Sequence, residues 1–132
     1  MDGSLKDLAK YRLEKAREDL ARAKREFDAD DYKLALNRSY YAIFHAIRAV
    51  NILDEFDSSK HSGVIAHFNR YHVKNNDFPS DVSKKIASAM IVRQASDYDD
   101  FFIATKKEAE KQVEVANEIV SLVENYLKEI ID

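Results

Sequence analysis

The sequence predicts an all-α fold, an antiparallel four-helix up-and-down bundle with one additional short helix. Two observations carry this expectation. The 132 residues include two glycines and one proline, too little punctuation for a sheet and its turns. Apolar residues also recur at three- and four-residue steps near both ends of the chain, the period of a helix with one buried face. With 45% hydrophobic and 34% charged residues, the chain has the balance of a folded globular protein. Its length suits a single domain over residues 1–132 with one hydrophobic core.

The first helix is expected from Ser4, as N-cap, to Phe27. Leu5, Ala9, Leu13, Ala16, Leu20, Ala23 and Phe27 form one seam, and the charges opposite read as a solvated face. Asp30 or Asp31 caps a second helix, Tyr32 to Leu53, which is apolar around most of its circumference and therefore central. After a polar loop, Asp54 to Ser59, either Ser58 or Ser59 caps a shorter third helix to about Val73. Lys74 to Asp77 is a second loop, and Phe78-Pro79-Ser80-Asp81 starts a fourth helix. That helix carries Val82, Ile86, Ala89, Met90 and Arg93 toward Tyr98, and Asp97 to Phe102 forms an irregular junction. The last helix, Thr105 to Ile131, sets Ala109, Val113, Ala116, Val120, Val123, Leu127 and Ile130 in alternating steps of four and three. Such a seam suits a bundle or a coiled coil and motivates the expectation of a homodimer.

Composition excludes several kinds of chemistry. Without cysteine there is no disulfide framework, thiol chemistry or Cys-ligated zinc. A net charge of −3 gives no global attraction to nucleic acid, so such a contact needs a local basic patch. No apolar run approaches a membrane span, and a cytoplasmic location with no membrane contact is expected. Gly3 and Gly63 stand alone, so no phosphate loop exists. His67 and His72 lie five apart, splayed by about 140° on an α-helix, and no metal ion or cofactor is expected. The Asp97, Asp99 and Asp100 group reads as an acidic helix end.

Polar residues set among apolar neighbours remain as candidates. Arg38, Tyr41, His45 and Arg48 fall on one stripe of the second helix, within an arc of roughly 80°. Burying a charge without a partner is expensive. This stripe therefore either meets acids elsewhere in the fold or faces a cleft where a ligand is the partner. On the fourth helix Arg93 and Asp97 share a face, with Tyr98 beside them. Lys60 and His61 open the third helix, where free backbone N–H groups attract anions such as phosphate. The alternative is an internal network in which Asp97 pairs with Arg93 or Arg38 and tyrosine hydroxyls satisfy leftover donors.

Three segments carry a family resemblance. Asn37-Arg38-Ser39-Tyr40-Tyr41-Ala42-Ile43-Phe44-His45-Ala46 resembles the second-helix signature of HEPN domains (higher eukaryotes and prokaryotes nucleotide-binding). Lys60-His61-Ser62-Gly63-Val64 and Arg93-Gln94-Ala95-Ser96-Asp97-Tyr98 follow in the order and spacing of the small stand-alone prokaryotic branch, so the likeness runs from about Leu5 to Tyr126. It implies a bundle of four to five helices, often a homodimer and frequently encoded beside a minimal nucleotidyltransferase. Many HEPN proteins are metal-independent ribonucleases, commonly toxins, that use an Arg-x(4–6)-His motif assembled across a dimer. The histidine then acts as general acid or base and the arginine stabilises charge on the phosphorane. Here Arg38 and His45 have that spacing on the second helix, whereas Arg93 is followed by Tyr98 and no histidine occurs after His72.

Three readings follow. The first is a nucleotide- or RNA-phosphate-binding module, with Arg38, Lys60, His61 and Arg93 as its basic groups and Tyr41, Asp97 and Tyr98 beside them, working with a nucleotidyltransferase in a toxin–antitoxin or defence pair. The second is a metal-independent ribonuclease toxin in which His45 transfers the proton and Arg38 or Arg93 holds the phosphate. The third is a dimerising bundle in which these polar groups are internal glue.

Overall fold

The computed structural model describes residues 3–131 and contains five α-helices, with no strand among the described residues. These are α1 (Gly3–Asp28), α2 (Tyr32–Ile52), α3 (His61–Phe68), α4 (Val82–Tyr98) and α5 (Lys106–Ile131). The all-α expectation holds.

Capping chemistry sets several boundaries. The Asp31 carboxylate accepts the Leu34 N–H at 3.1 Å and starts α2, and Thr105 Oγ1 accepts the Glu108 N–H at 3.1 Å ahead of α5. Two expected caps differ. Ser4 already lies inside the first turn of α1. The cap position of α3 is Lys60, without a side-chain bond, because Ser58 Oγ instead accepts the Lys60 N–H at 3.1 Å and steadies the loop.

Thirteen of the 21 residues of α2 are buried, and every other helix packs against it. Ala9, Ala16 and Ala23 of α1 and Ala42, Ala46 and Ala49 of α2 are fully buried, short side chains that let helices approach closely. Arg17 reaches Glu124 at 2.7 Å and Lys24 reaches Asn117 at 3.0 Å, so α1 and α5 run antiparallel. These surface contacts add little stability but report the register. The α5 seam is spent inside the chain: Ala109, Ala116, Val120, Val123 and Leu127 are buried, joined by Gln112 and Ile119, while Ile130 is exposed. The heptad pattern therefore does not mark a surface free for a second copy.

The third helix does not run unbroken to Val73. After Phe68 the chain enters a π-helical turn, Asn69–Val73, in which the Lys74 N–H bonds the Asn69 carbonyl at 3.0 Å. The wider turn changes which residues share a face. At the far side of α2, α4 buries Val82, Ile86 and Ala89 and touches α5 only lightly. Ile91, Tyr98, Phe101 and Ile103 are left facing outward.

Truncation should separate hub from rim. Ile47→Ala, at a fully buried site of α2, should cost about 2–5 kcal/mol in urea unfolding. Ile91→Ala, on the exposed face of α4, should stay within about 0.5 kcal/mol of wild type.

Candidate functional site

The stripe on α2 meets both acids and a cleft. Between α1 and α2 lies an open cleft of about 490 Å³, lined on the α2 side by Arg38, His45 and Arg48. The α1 wall supplies Arg12, Lys15, Glu18, Asp19 and Arg22, so five cationic side chains face two acidic ones. A chain of net charge −3 thus gathers a local positive patch.

Asp19 is the centre of this wall and is buried. Its Oδ1 lies 3.3 Å from the Arg38 guanidinium and its Oδ2 lies 3.5 Å from His45 Nε2. Arg12 and Arg48 both converge on exposed Asp57, at 2.8 and 3.1 Å, from the loop after α2. Partial burial alone would push the Asp57 carboxyl up, but the hydrogen bonds from Arg12 and Arg48 outweigh it and hold the group below its ordinary range. Arg12 is 9% exposed and its Nη1 has no hydrogen-bond partner. Arg48 Nε is likewise unpartnered.

His45 is within reach of solvent, with 25% of its side chain exposed. Burial lowers its pKa below 6.5; Asp19 opposes the shift, while Arg48, Lys15 and Arg12 reinforce it. The ring is therefore neutral at pH 7 and competent to accept a proton.

The other candidates lie on the opposite side of Tyr41. Arg93 donates to the Tyr41 hydroxyl at 3.0 Å, and its Nε stands 3.0 Å from Asp97 Oδ2. The guanidinium lies over the rings of Tyr40 and Tyr41, 5.2 and 5.5 Å from their centroids. His61 stacks on Phe44 at 4.0 Å and meets the Tyr40 hydroxyl at 2.8 Å. Burial pushes Tyr40 up to about 12 despite the opposing Arg93, and burial, Arg93 and Arg48 lower His61. Tyr40 accordingly keeps its proton and donates it to the Nδ1 of a neutral His61. Asp97 pairs with Arg93, whereas Arg38 pairs with Asp19.

The expected site residues thus fall into two groups. Arg38 and His45 line the cleft; Tyr41, His61, Arg93 and Asp97 form an aromatic-wrapped network, with the Tyr41 ring 6.0 Å from Arg38 and 6.2 Å from His45. Lys60 is exposed at the start of α3, and Tyr98 points outward. Sequence reasoning missed Arg12, Asp19 and Asp57. Arg12, Lys15, Asp19 and Arg22 repeat in steps of three and four, each directly before a seam residue (Leu13, Ala16, Leu20 and Ala23), a pattern legible in the sequence. The first helix's charged side is a solvated face only away from this row.

These features define a helical domain organised around one central helix that bears arginines and histidine. The sequence profile of the HEPN domain matches residues 9–126, and the chain belongs to that family. A Methanocaldococcus jannaschii protein named as a putative toxin is 29% identical over 115 residues, covering 87% of this chain and 78% of its own. A second protein of that organism, also named as a putative toxin, is 33% identical over 119 residues, with 90% and 88% covered. A UPF0332 protein of Thermotoga maritima is 27% identical over 123 residues, with 93% of both chains covered. Among the described residues no helix is long and apolar enough to cross a membrane.

The lowered pKa values of His45 and His61 have a consequence for stability. Unfolding restores imidazoles that bind protons more readily, so the unfolded chain holds more protons between the lowered values and 6.5. Stability should be intact above pH 6.5 and fall as pH drops through that window. Urea midpoints at stepped pH should record this loss, and His45→Gln should flatten part of it.

Proposed function

We propose that this HEPN domain is a toxin-type module that binds the phosphate backbone of RNA in the α1/α2 cleft and acts with a nucleotidyltransferase partner. The observation that carries the reading is Arg12: a buried guanidinium with an unpartnered nitrogen, set in a cleft where cations outnumber acids. A buried donor without a partner is costly, and a phosphate oxygen entering the cleft would satisfy it with a charge-assisted bond. The putative-toxin names of two relatives support the toxin role, and the family resemblance supports the partner. A cytoplasmic location follows from that role. The Arg93–Asp97 network fits the internal-glue reading, which is kept for that half of the candidate residues alone.

One arrangement favours cleavage as a second reading. Asp19 holds Arg38 and neutral His45 on the two oxygens of one carboxylate. A neutral His45 would take the proton of an RNA 2′-hydroxyl as its oxygen attacks the adjacent phosphorus, and the imidazolium would return that proton to the 5′-oxygen as its bond to phosphorus breaks. Arg38 or Arg48 would stabilise the added negative charge. Arg93 is committed to Asp97 and Tyr41 and has no place in this step.

The homodimer expected from the resemblance has a surface to use. Tyr98, Phe101 and Ile103 form a cluster of large exposed apolar side chains at the end of α4 and in the segment after it. A second copy meeting this surface would bury them.

Fluorescence anisotropy with single-stranded RNA tests the binding. Arg22→Gln and Arg38→Gln should each weaken affinity and reduce the slope of log K against log salt by about 0.7. Unchanged affinity and slope in both would remove the cleft from consideration. Incubation with RNA in EDTA tests cleavage: a product lost in His45→Ala supports the second reading, and an intact substrate with wild type leaves binding alone. Light scattering should give a dimer for wild type and a monomer for a variant carrying Phe101→Ser with Ile103→Ser.

A further inference from the structure

A different open cleft, of about 960 Å³, is lined by none of the residues of the two groups above. At its wall three metal-ligating side chains converge. Asp54 Oδ2 lies 2.9 Å from His67 Nε2 and 2.6 Å from His72 Nε2, and the three ligand atoms all lie within 4.8 Å of one another. We propose that Asp54, His67 and His72 form a binding site for one borderline divalent transition-metal ion, of which Zn²⁺ is the type.

The expectation against a shared ion on His67 and His72 assumed α-helical geometry throughout. The π-helical turn at Asn69–Val73 removes that assumption by bringing His72 round to the side of His67. Such turns cost regularity and recur at functional positions. Both rings are held in place. His67 lies flat against Phe56 at 4.0 Å with Tyr71 at 4.6 Å, and buried His72 is wedged among Phe68, Phe78 and Tyr126.

The outer contacts match what a metal-bound histidine needs. His72 Nδ1 lies 3.0 Å from Asp77 Oδ2. A carboxylate there takes the Nδ1–H, fixes the tautomer and leaves Nε2 as a lone pair directed at the ion. The same geometry is hard to explain with neutral rings alone. A neutral imidazole has one N–H, yet both nitrogens of His72 face carboxylate oxygens, and His67 Nε2 faces one of the same atoms. A metal cation held between them resolves the conflict.

Two imidazole nitrogens and one carboxylate select a zinc-like ion over Mg²⁺ or Ca²⁺, which take mainly oxygen ligands. With metal–ligand bonds of about 2.0–2.2 Å in a tetrahedral site, the Asp54 oxygen must draw back from the two nitrogens by about 0.4–0.9 Å. Asp54 sits at the end of α2 with 35% of its side chain exposed and is free to make that adjustment. The remaining coordination position faces the cleft and takes water. Bound metal would tie the loop after α2 to α3 and to the π-helical turn.

The test uses the full chain without a histidine tag, stripped with chelator. Calorimetry with ZnCl₂ alone should give one ion per chain at micromolar affinity or better. Co²⁺ should produce a visible d–d absorption, and millimolar Mg²⁺ should not compete. His72 is buried and its replacement invites unfolding, so His67→Gln and Asp54→Asn carry the test, with circular dichroism confirming their fold. Each should abolish the Co²⁺ spectrum, and Asp77→Asn should weaken binding about 10-fold or more. Absence of micromolar binding in wild type would overturn the site. Binding that survives both His67→Gln and Asp54→Asn would overturn it equally, as an adventitious ion elsewhere.

Discussion

The structure depends on how α2 is buried. A helix covered on nearly every side must surrender its solvent, yet α2 carries Arg38, His45 and Arg48 along one stripe. Desolvated guanidinium groups need acids at short range, and the fold supplies them from outside α2. Asp19 comes from the middle of α1 and Asp57 from the loop that ends α2. The position of α1 along α2 is thereby fixed by ionic contacts as well as by alanine packing.

The same constraint divides the central helix into two chemical environments. On the α4 side, Asp97 and the Tyr41 hydroxyl engage Arg93, whose guanidinium lies over the Tyr40 and Tyr41 rings, and His61 stacks on Phe44. On the α1 side the accounting is left open, with Arg12 and Arg48 sharing one carboxylate and each keeping an idle nitrogen. There the cationic side chains also line an open cleft. Tyr41 lies between the two environments and touches both through its ring and hydroxyl. A ligand that displaced Arg38 would be felt at Arg93 through a single side chain.

Much of the architecture was legible in the sequence because it rests on period and punctuation. The seams of α1 and α5, the Asp31 cap and the central character of α2 depend on local spacing, and the structure keeps them with shifts of one or two residues. The stripe on α2 was legible for the same reason, and its division of roles was not. Whether a polar residue meets an acid or a ring depends on which helix lies opposite, and no periodicity encodes that. Arg12 and Asp19 looked like members of a solvated face because i,i+4 charge pairs surround them. His61 looked like part of an anion site at a helix start, but Phe44 and Tyr40 draw its ring inward.

The π-helical turn carries a different kind of information. An α-helix repeats every 3.6 residues, and the turn at Asn69–Val73 spends one residue more to close its hydrogen bond. If that stretch kept its length but wound as a regular α-helix, His67 and His72 would stand about 140° apart and His72 would turn away from its partners. Deleting one of Asn69, Arg70 or Tyr71 instead sets the two histidines four positions apart, about 40° on a regular α-helix, and so keeps them on one face. The convergence of these side chains therefore depends on winding and chain length together as well as on residue identity. Among relatives, the pair should survive either as five positions with the wider turn or as four positions without it.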